Sequence, residues 1–400
     1  MASIVNYALA SRDAFGERPL GRVDSLCLSW LSYLRLLEEP QTSTLEGLTL
    51  EELGASPARS HMAAAMHDLQ NTSMLMQALG LSPRFAQVRA CMHEVDVSEE
   101  EGRQFSATTF VLPDSLGAYV AFRGTDDSIL GWQENLRLAC GSPVPAQLAA
   151  QSYLERVAGQ VTGPLWVGGH SKGGTLASYA CGAASDEVRE RIVCCFSHDG
   201  PAVNARVRSG IAWHDDVRED KTVPSASLVG MLFERSQAGL TAVRSTGEGV
   251  RQHGPFTWEI AGSDFVCERG LSYDVWKLAQ RVGDWLDGLG DERQDEVIEL
   301  LCWLMETTGE TTLSGMLARW QANARAMRAA LEAGPSGDRE LFAQAMDELV
   351  TDLVLGSAAE HGLGVDDSPQ GTLDAAARRL EDVTARTNDR LARLDRLAGL

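Results

Sequence analysis

The stretch VGGHSKGGTLASYA, Val167 to Ala180, places a serine between glycines where an apolar run gives way to helix-forming residues. The preceding residues PLWVGG are typical of a buried strand, and the following residues TLASYACGAA are typical of a helix. Gly169, Ser171 and Gly173 fit the pattern G-x-S-x-G, in which a sharp strand-to-helix turn exposes a nucleophilic serine. Glycines at these positions relieve the steric clash between strand and helix.

A phosphate-binding loop and a purely structural turn are the two non-catalytic interpretations of this serine motif. A phosphate-binding P-loop is excluded because Lys172 follows the serine and precedes both last glycines, so G-x-x-x-x-G-K-[ST] is absent. At the N-terminus of a helix, backbone N–H groups and the helix dipole favour a developing oxyanion. We therefore predict that Ser171 is a catalytic nucleophile, and a purely structural turn is the alternative.

Strand-like and helix-like segments alternate along the chain up to about residue 275. The strand candidates carry β-branched or aromatic residues between turn residues: 84–97, 104–113, 117–125, 163–170, 191–200 and 239–246. Alternation of this kind predicts an α/β sheet covered on both faces. We predict an α/β domain over residues 1–275, with a helical segment at about 20–80, and a helical extension over residues 276–400.

The extension carries helix start and stop signals. Apolar residues recur at helical spacing from Leu313 to Leu331, and Gly334 and Pro335 end this run. Asp338 is a candidate cap for the next helix. The final stretch, residues 373–397, is rich in alanine, arginine and acidic residues. These stripes predict packing faces that cover the α/β domain or form a subunit contact.

Composition narrows the classes of partner. The 400 residues carry a formal net charge of -21, which disfavours nucleic acid as a partner because phosphates would be repelled. No apolar stretch approaches the ~20 residues of a membrane span, and no secretory signal is recognisable, so we predict a cytoplasmic protein. The eight cysteines are dispersed without a C-x-x-C pair, which predicts reduced thiols and neither disulfides nor zinc. We expect no metal and no organic cofactor.

One phrase before the serine motif resembles the class 3, or fungal-type, lipases. It is FRGT, Phe122 to Thr125, followed later in the chain by GHSKGG. The resemblance implies that Thr125 completes the oxyanion hole. The backbone N–H of Lys172, the residue after the nucleophile, would then be the second donor.

A broader set of phrases resembles the bacterial Mbeg1-like family of lipase-like proteins. The phrases are NYALASRDAFGERPLGRVDSLCLSWLSYL, FRGTDDSILGW, GHSKGG, HDGPA, VPSASLVGML and RQHGPFTWEI. The resemblance implies an α/β-hydrolase fold with a mostly parallel central sheet, N-terminal helices and a C-terminal all-helical extension. It implies no particular substrate.

A serine hydroxyl needs a base to take its proton, and in α/β-hydrolases the histidine follows both the nucleophile and the acid in the chain. The histidines after Ser171 are His198, His214, His253 and His361. His253 follows the apolar segment LTAVRST by a short glycine-bearing loop, where a catalytic histidine is expected. It also matches the Q-H phrase of the lipase-like family. We therefore predict His253 as the base, and a surface-loop histidine is the alternative.

The acid is open between two main candidates. Asp199 ends a strand candidate and lies in the family's D-G-P phrase, whereas Asp220 matches the D-x-V-P acid of class 3 lipases except that DKTVP is one residue longer. If EDKTVP is itself a strand, Asp220 lies at its start, away from the active edge. We favour Asp199, with Asp220 as the alternative acid and Asp215, Asp216 and Asp264 as further candidates.

The segment after Thr125 has an amphipathic pattern. Ile129, Trp132 and Leu136 fall on one helical face. Class 3 lipases carry a mobile lid helix at this place, so the resemblance implies a lid over an apolar acyl pocket. An amphipathic helix fixed to the core is the alternative.

These residues together predict a serine hydrolase that cleaves a carboxylic ester through a Ser-His-Asp triad and an acyl-enzyme. The same fold serves peptidases, thioesterases and acyltransferases, and a non-catalytic interaction module with a vestigial site is a further alternative. The expected partner is a small-molecule or lipid ester. The helical extension could also bind a protein partner or a second copy of the chain.

Overall fold

The computed structural model describes residues 2–63 and 68–360, with side chains up to residue 349. The predicted tail stretch 373–397 and His361 lie outside the described residues. An eight-stranded sheet in chain order forms the centre, and two short strands form a separate ribbon. The strands are β1 Leu48–Thr49, β2 Arg89–Ser98, β3 Arg103–Val111, β4 Ala118–Phe122, β5 Leu165–His170, β6 Ile192–His198, β7 Glu219–Pro224, β8 Leu240–Val243, β9 Ile260–Ala261 and β10 Asp264–Phe265.

The direction of strand pairing changes at the middle of the sheet. Pairing is antiparallel from β1 to β4 and parallel from β4 to β8. Because parallel strands end at the same edge, the loops that follow β4 to β8 lie side by side. This edge collects the predicted nucleophile, acid and histidine loops.

Helices cover both faces of the sheet and continue into the extension. In chain order they are α1 Ile4–Ala10, α2 Arg22–Leu31, α3 Leu50–Ala55, α4 Arg59–Met62, α5 Leu69–Leu81, α6 Ile129–Arg137, α7 Pro145–Ala158, α8 Lys172–Gly182, α9 Asp186–Arg189, α10 Ala205–Ser209, α11 Tyr273–Leu289, α12 Asp291–Thr307, α13 Leu313–Ala318, α14 Trp320–Ala333 and α15 Ser336–Glu360. The predicted α/β fold with N-terminal helices and a helical extension is confirmed.

The side chains of β4 show how the sheet is buried on both faces. All five residues of β4 are buried, and successive side chains point to opposite faces. Tyr119 and Ala121 pack into the core formed with the N-terminal helices, whereas Val120 and Phe122 pack beneath α7 and α8. A continuous apolar run without alternation is the pattern expected of a strand covered on both sides.

The helical extension packs on the end of α6. Its core includes Trp285, Val297 and Cys302, and it receives Ala139 and Leu136 from the α/β domain. The apolar stripe that predicted one long helix from Leu313 is divided into α13 and α14, because Arg319 has non-helical dihedral angles (φ -110, ψ 27). Asp338 lies in the first turn of α15 and is not its cap. None of the described helices is long and apolar enough to cross a bilayer.

Candidate active site

Ser171 occupies a strained turn between β5 and α8. Its dihedral angles are φ 59 and ψ -134, a region that costs a non-glycine residue about 1–3 kcal/mol. The Ser171 N–H donates to the carbonyl of His198 at 3.0 Å, and the Gly174 N–H donates to the carbonyl of Ser171 at 2.8 Å. These two bonds hold the turn in place against its strain.

The motif glycines are required by the closeness of strand and helix. A Cβ on Gly169 would lie 2.2 Å from the carbonyl carbon of Gly173, and a Cβ on Gly173 would lie 2.2 Å from the carbonyl oxygen of Phe122. Both contacts are with backbone, so no side-chain movement would relieve them. The G-x-S-x-G spacing therefore follows from the packing of α8 onto β4 and β5.

The hydroxyl of Ser171 is partly buried, and it makes no hydrogen bond with any residue in the described part of the chain. It lies at the N-terminus of α8, an 11-residue helix whose first N–H groups have no partner within the helix. A negative charge that develops beside this oxygen is stabilised by those groups and by the helix dipole.

His253 and Asp199 are joined directly. Nδ1 of His253 lies 2.6 Å from Oδ2 of Asp199, and this histidine ends the short 3-10 helix Gly249–His253 that follows β8. Asp199 follows β6, is fully buried, and accepts further hydrogen bonds from the Ser227 hydroxyl at 2.6 Å and the Gly230 N–H at 3.0 Å. Three donors therefore orient this carboxylate, and its bond to Nδ1 leaves Nε2 of His253 as the nitrogen available to accept a proton.

The other candidate acids lie elsewhere. Asp220 is the second residue of β7, at the end of the strand opposite the loops that carry Ser171, Asp199 and His253, and its Oδ2 lies 2.9 Å from the Arg22 guanidinium. Asp215 and Asp216 form exposed ion pairs with Arg208 and Arg189. Within the described residues, Asp199 alone among these carboxylates contacts the His253 ring.

Asp264 also lies apart from His253. It is the first residue of β10, and its Oδ1 lies 3.6 Å from the guanidinium of Arg22, which also holds Asp220. Arg22 therefore holds both remaining candidate acids at the N-terminal helices.

Two further histidines have other environments. His198 is fully buried with Nε2 2.8 Å from the Ser25 hydroxyl, and burial lowers its pKa to about 3. His214 is partly exposed, with Nε2 4.0 Å from the carboxylate of Asp186. Neither ring contacts Asp199, and in the described part of the chain none of the three rings, His253 included, forms a hydrogen bond with the Ser171 hydroxyl.

His170 contacts the His253 loop, although sequence reasoning treated it only as a variable position of the serine motif. Its Nε2 donates to the carbonyl of His253 at 2.8 Å, and the two imidazole rings lie 4.5 Å apart. Burial lowers the pKa of His170 well below its ordinary value, and the charge of a protonated His253 would lower it further. Only its position next to Ser171 could have indicated this contact, since the partner is distant in the chain.

Of the two predicted oxyanion residues, Lys172 directly follows the serine and Thr125 lies in the loop after β4. The Thr125 hydroxyl donates to Oδ1 of Asn135 at 2.8 Å, which fixes the loop after β4. The backbone N–H groups of Thr125 and Lys172 form no hydrogen bond with another described residue. Two donors without acceptors at the same sheet edge are what an oxyanion hole requires.

The side chain of Lys172 points away from solvent. It is only 1% exposed, and its ammonium contacts the carboxylate of Glu134 on α6 at 2.8 Å. Burial lowers the pKa of Lys172, and the charge of Glu134 opposes this shift. The ammonium therefore forms a buried ion pair and does not face the solvent.

The helix that carries the predicted lid residues is α6. Ile129 is buried, Leu136 packs against the core of the extension, and Trp132 is 37% exposed. The amide of Gln133, on the same helix, donates to the carbonyl of Cys302 at 2.9 Å. These contacts favour the alternative prediction, an amphipathic helix fixed to the core, over a mobile lid.

Residues 2–63 and 68–360 contain no group of three or more His, Cys, Asp or Glu side chains that could hold a metal ion. All eight cysteines are free thiols, and most of them are buried.

The mixed sheet, the helices on both its faces and the strained serine turn define an α/β-hydrolase fold. A family model described as Mbeg1-like matches residues 79–302, more than half of the chain, so the protein belongs to the Mbeg1-like family. Among solved structures, one described as "Crystal structure of M37 lipase" is similar at 15% identity and a TM-score of 0.30, covering 55% of this chain and 75% of that chain. No curated protein matches the chain.

Proposed function

We propose that the protein is a serine hydrolase that cleaves carboxylic esters. The observation that carries the proposal is the position of four loops, those after β4, β5, β6 and β8, at one sheet edge. They carry a serine in a strained turn, an imidazole bonded to a buried carboxylate and two backbone N–H groups without acceptors, and the His253 ring lies 4.5 Å from the ring of His170, the residue before Ser171. Each feature has a function in acyl transfer, and an ordinary structural turn needs none of them.

The proposed reaction proceeds through an acyl-enzyme. Ser171 Oγ attacks the ester carbonyl while Nε2 of His253 takes its proton, and Asp199 holds the tautomer and stabilises the imidazolium. The N–H groups of Thr125 and Lys172 bind the oxyanion of the tetrahedral intermediate. The imidazolium then gives its proton to the leaving alcohol. Water, activated by the same imidazole, releases the acid and restores Ser171.

Hydrolysis of p-nitrophenyl esters of increasing chain length tests the proposal. We expect wild-type protein to release p-nitrophenol and Ser171→Ala to lose the activity. Ser178→Ala, one serine further along the same helix, is the matched control, because its hydroxyl only bonds the carbonyl of Gly174 and the carboxylate of Glu219.

Parallel assays separate the alternatives. A thioester, a peptide amide and an ester with a competing alcohol acceptor distinguish a thioesterase, a peptidase and an acyltransferase from an ester hydrolase. A folded wild-type protein that turns over none of them would contradict the proposal and favour a non-catalytic interaction module. Circular dichroism on each variant establishes that it is folded.

A further inference from the structure

A buried ion pair between Lys172 and Glu134 joins α8 to α6 beside the serine turn. The Lys172 ammonium donates to Oε2 of Glu134 at 2.8 Å and to the backbone carbonyl and side-chain oxygen of Gln104 at 2.8 and 2.7 Å. Glu134 has no exposed surface, and its Oε1 accepts from the Ala146 N–H at 2.9 Å. Every donor of the ammonium therefore has an acceptor.

Stability alone does not explain such a pair. The desolvation cost of two buried charges roughly cancels their attraction, and well-packed apolar side chains of similar size often serve stability as well or better. The location of the pair is informative, because Lys172 is the residue whose backbone N–H is a proposed oxyanion donor.

The same helix also holds the second donor. Glu134 and Asn135 are neighbours on α6, and Asn135 accepts the hydroxyl hydrogen of Thr125. One helix therefore holds both oxyanion residues, Lys172 through Glu134 and Thr125 through Asn135. The separation between the two N–H groups depends on the position of α6.

The helical extension in turn fixes α6. The N–H of Ile129 donates to the carbonyl of Thr311 at 3.0 Å, and the N–H of Leu313 donates to the carbonyl of Asp127 at 2.8 Å. The carboxylate of Asp127 also accepts from the hydroxyl and the N–H of Ser314. The start of α6 thus cannot shift without breaking contacts with the turn between α12 and α13.

We propose that Glu134 is a positioning residue of the oxyanion hole. By holding the Lys172 side chain, its carboxylate sets the distance between the N–H of Lys172 and the N–H of Thr125. This inference rests on the proposed function. It assigns Glu134 no contact with the substrate.

Glu134→Gln tests the inference, because it keeps the shape of the side chain and removes its charge. A small displacement of an oxyanion donor lowers kcat strongly, so we expect kcat to fall about 10- to 100-fold while KM changes less than about twofold. The matched control is Glu234→Gln, which breaks the ion pair between Glu234 and Lys221, a pair that contacts neither oxyanion residue. The control should lose stability and retain kcat within about threefold. A folded Glu134→Gln protein with wild-type kcat would overturn the inference.

A double variant covers the case in which Glu134→Gln does not fold. Replacing Lys172 and Glu134 together by methionine removes both buried charges, so the protein should fold. We expect its kcat to remain at least about tenfold below wild type, because methionine makes no directional contact with Gln104. Recovery of both stability and kcat would show that the pair is only structural.

Hydrogen exchange separates failure of this inference from failure of the proposed function. The amides of Ser171 and Gly174 are hydrogen-bonded in the turn, and their exchange is measured without substrate. We expect about tenfold faster exchange at residues 171–174 in the folded variant than in wild type or Glu234→Gln. Unchanged exchange would overturn the positioning role even if the protein proves not to be a hydrolase.

Discussion

His170 and His253 lie against each other, but their surroundings differ. The rings are 4.5 Å apart and inclined by 34°. His253 is 26% exposed and bonded to a carboxylate, whereas His170 is 3% exposed and bonded to the carbonyl of His253 and the hydroxyl of Tyr33. Burial lowers the pKa of His170 and so favours its neutral ring.

The difference between His170 and His253 indicates that the surroundings of a histidine decide which chemical role its ring can have. His253 has the surroundings of the proposed base, because its Nδ1 contacts Asp199 and its ring is partly exposed. His170 stays neutral because burial lowers its pKa, and its N–H supports the backbone of the loop that presents His253. In the proposed reaction, identical side chains thus serve as a proton acceptor and as a support.

The largest expected effect is the loss of the proton acceptor. We expect His253→Ala to lower kcat about 10⁴-fold or more, since serine cannot be activated without its base. His214→Ala is the control, because that ring is partly exposed and its backbone N–H bonds the carbonyl of Gly182, at the end of α8 away from Ser171. Steady-state hydrolysis of p-nitrophenyl acetate measures both, and a loss below about tenfold in His253→Ala would assign the base elsewhere.

The second-largest expected effect is that of Asp199, the carboxylate that contacts His253 but not His170. We expect Asp199→Asn to lower kcat about 10²- to 10⁴-fold, because an amide does not stabilise the imidazolium. Asp220→Asn, which only breaks the ion pair with Arg22, should leave kcat within about threefold. The opposite order of the two effects in the same assay would make Asp220 the acid.

The support provided by His170 should have a smaller effect. His170→Phe retains a ring against His253 but removes the N–H that bonds its carbonyl, so we expect kcat to fall about tenfold. Because His170 does not titrate near neutral pH, the acidic limb of the pH–rate profile should not move. Disappearance of that limb together with the activity would show that His170 itself is the titrating base.

Buried histidines should also affect stability in acid. His198 is ordinarily protonated below 6.5, but burial lowers its pKa to about 3 in the folded protein, so the unfolded chain takes up the proton first. Its contribution is present above pH 6.5 and is lost as the pH falls toward 3, at about 1.4 kcal/mol per pH unit.

A variant isolates this contribution. The unfolding free energy of wild type should fall more steeply with decreasing pH than that of His198→Asn. Urea unfolding from about pH 6.5 to pH 5 measures both slopes above the range where most carboxylates titrate. Equal slopes would contradict the assignment of His198 as a buried neutral ring.

The smallest expected effect is that of Trp132, the partly exposed aromatic residue of α6. Trp132→Ala should change the ratio of long-chain to short-chain ester hydrolysis by less than about twofold, because α6 is held by the core and the extension. A large loss confined to long-chain esters would restore the lid interpretation.

Structure that depends on residues close together in the chain could be predicted from the sequence. The strand-to-helix turn at Ser171 was predicted because its glycines and apolar flanks are adjacent in the chain. The strand candidates 104–113 and 163–170 also correspond to β3 and β5, because each run is bounded by turn residues. The two-residue β1 was not predicted, since a strand of that length has no pattern.

Contacts between residues that are far apart in the chain could not be predicted from the sequence. The helical pattern of Ile129 and Trp132 gave no sign that Glu134 pairs with Lys172, because those residues are 38 positions apart. The contact of His170 with His253 spans 83 positions for the same reason. Such pairings depend on the tertiary fold, and no periodic pattern in the sequence indicates them.

The most direct test of the serine assignment is the site of covalent modification by a fluorophosphonate. The expected result is a single adduct on wild-type protein, mapped by tandem mass spectrometry to Ser171 and absent from Ser171→Ala. A folded wild-type protein that forms no adduct, or forms it on another residue while Ser171 stays unmodified, would contradict the assignment.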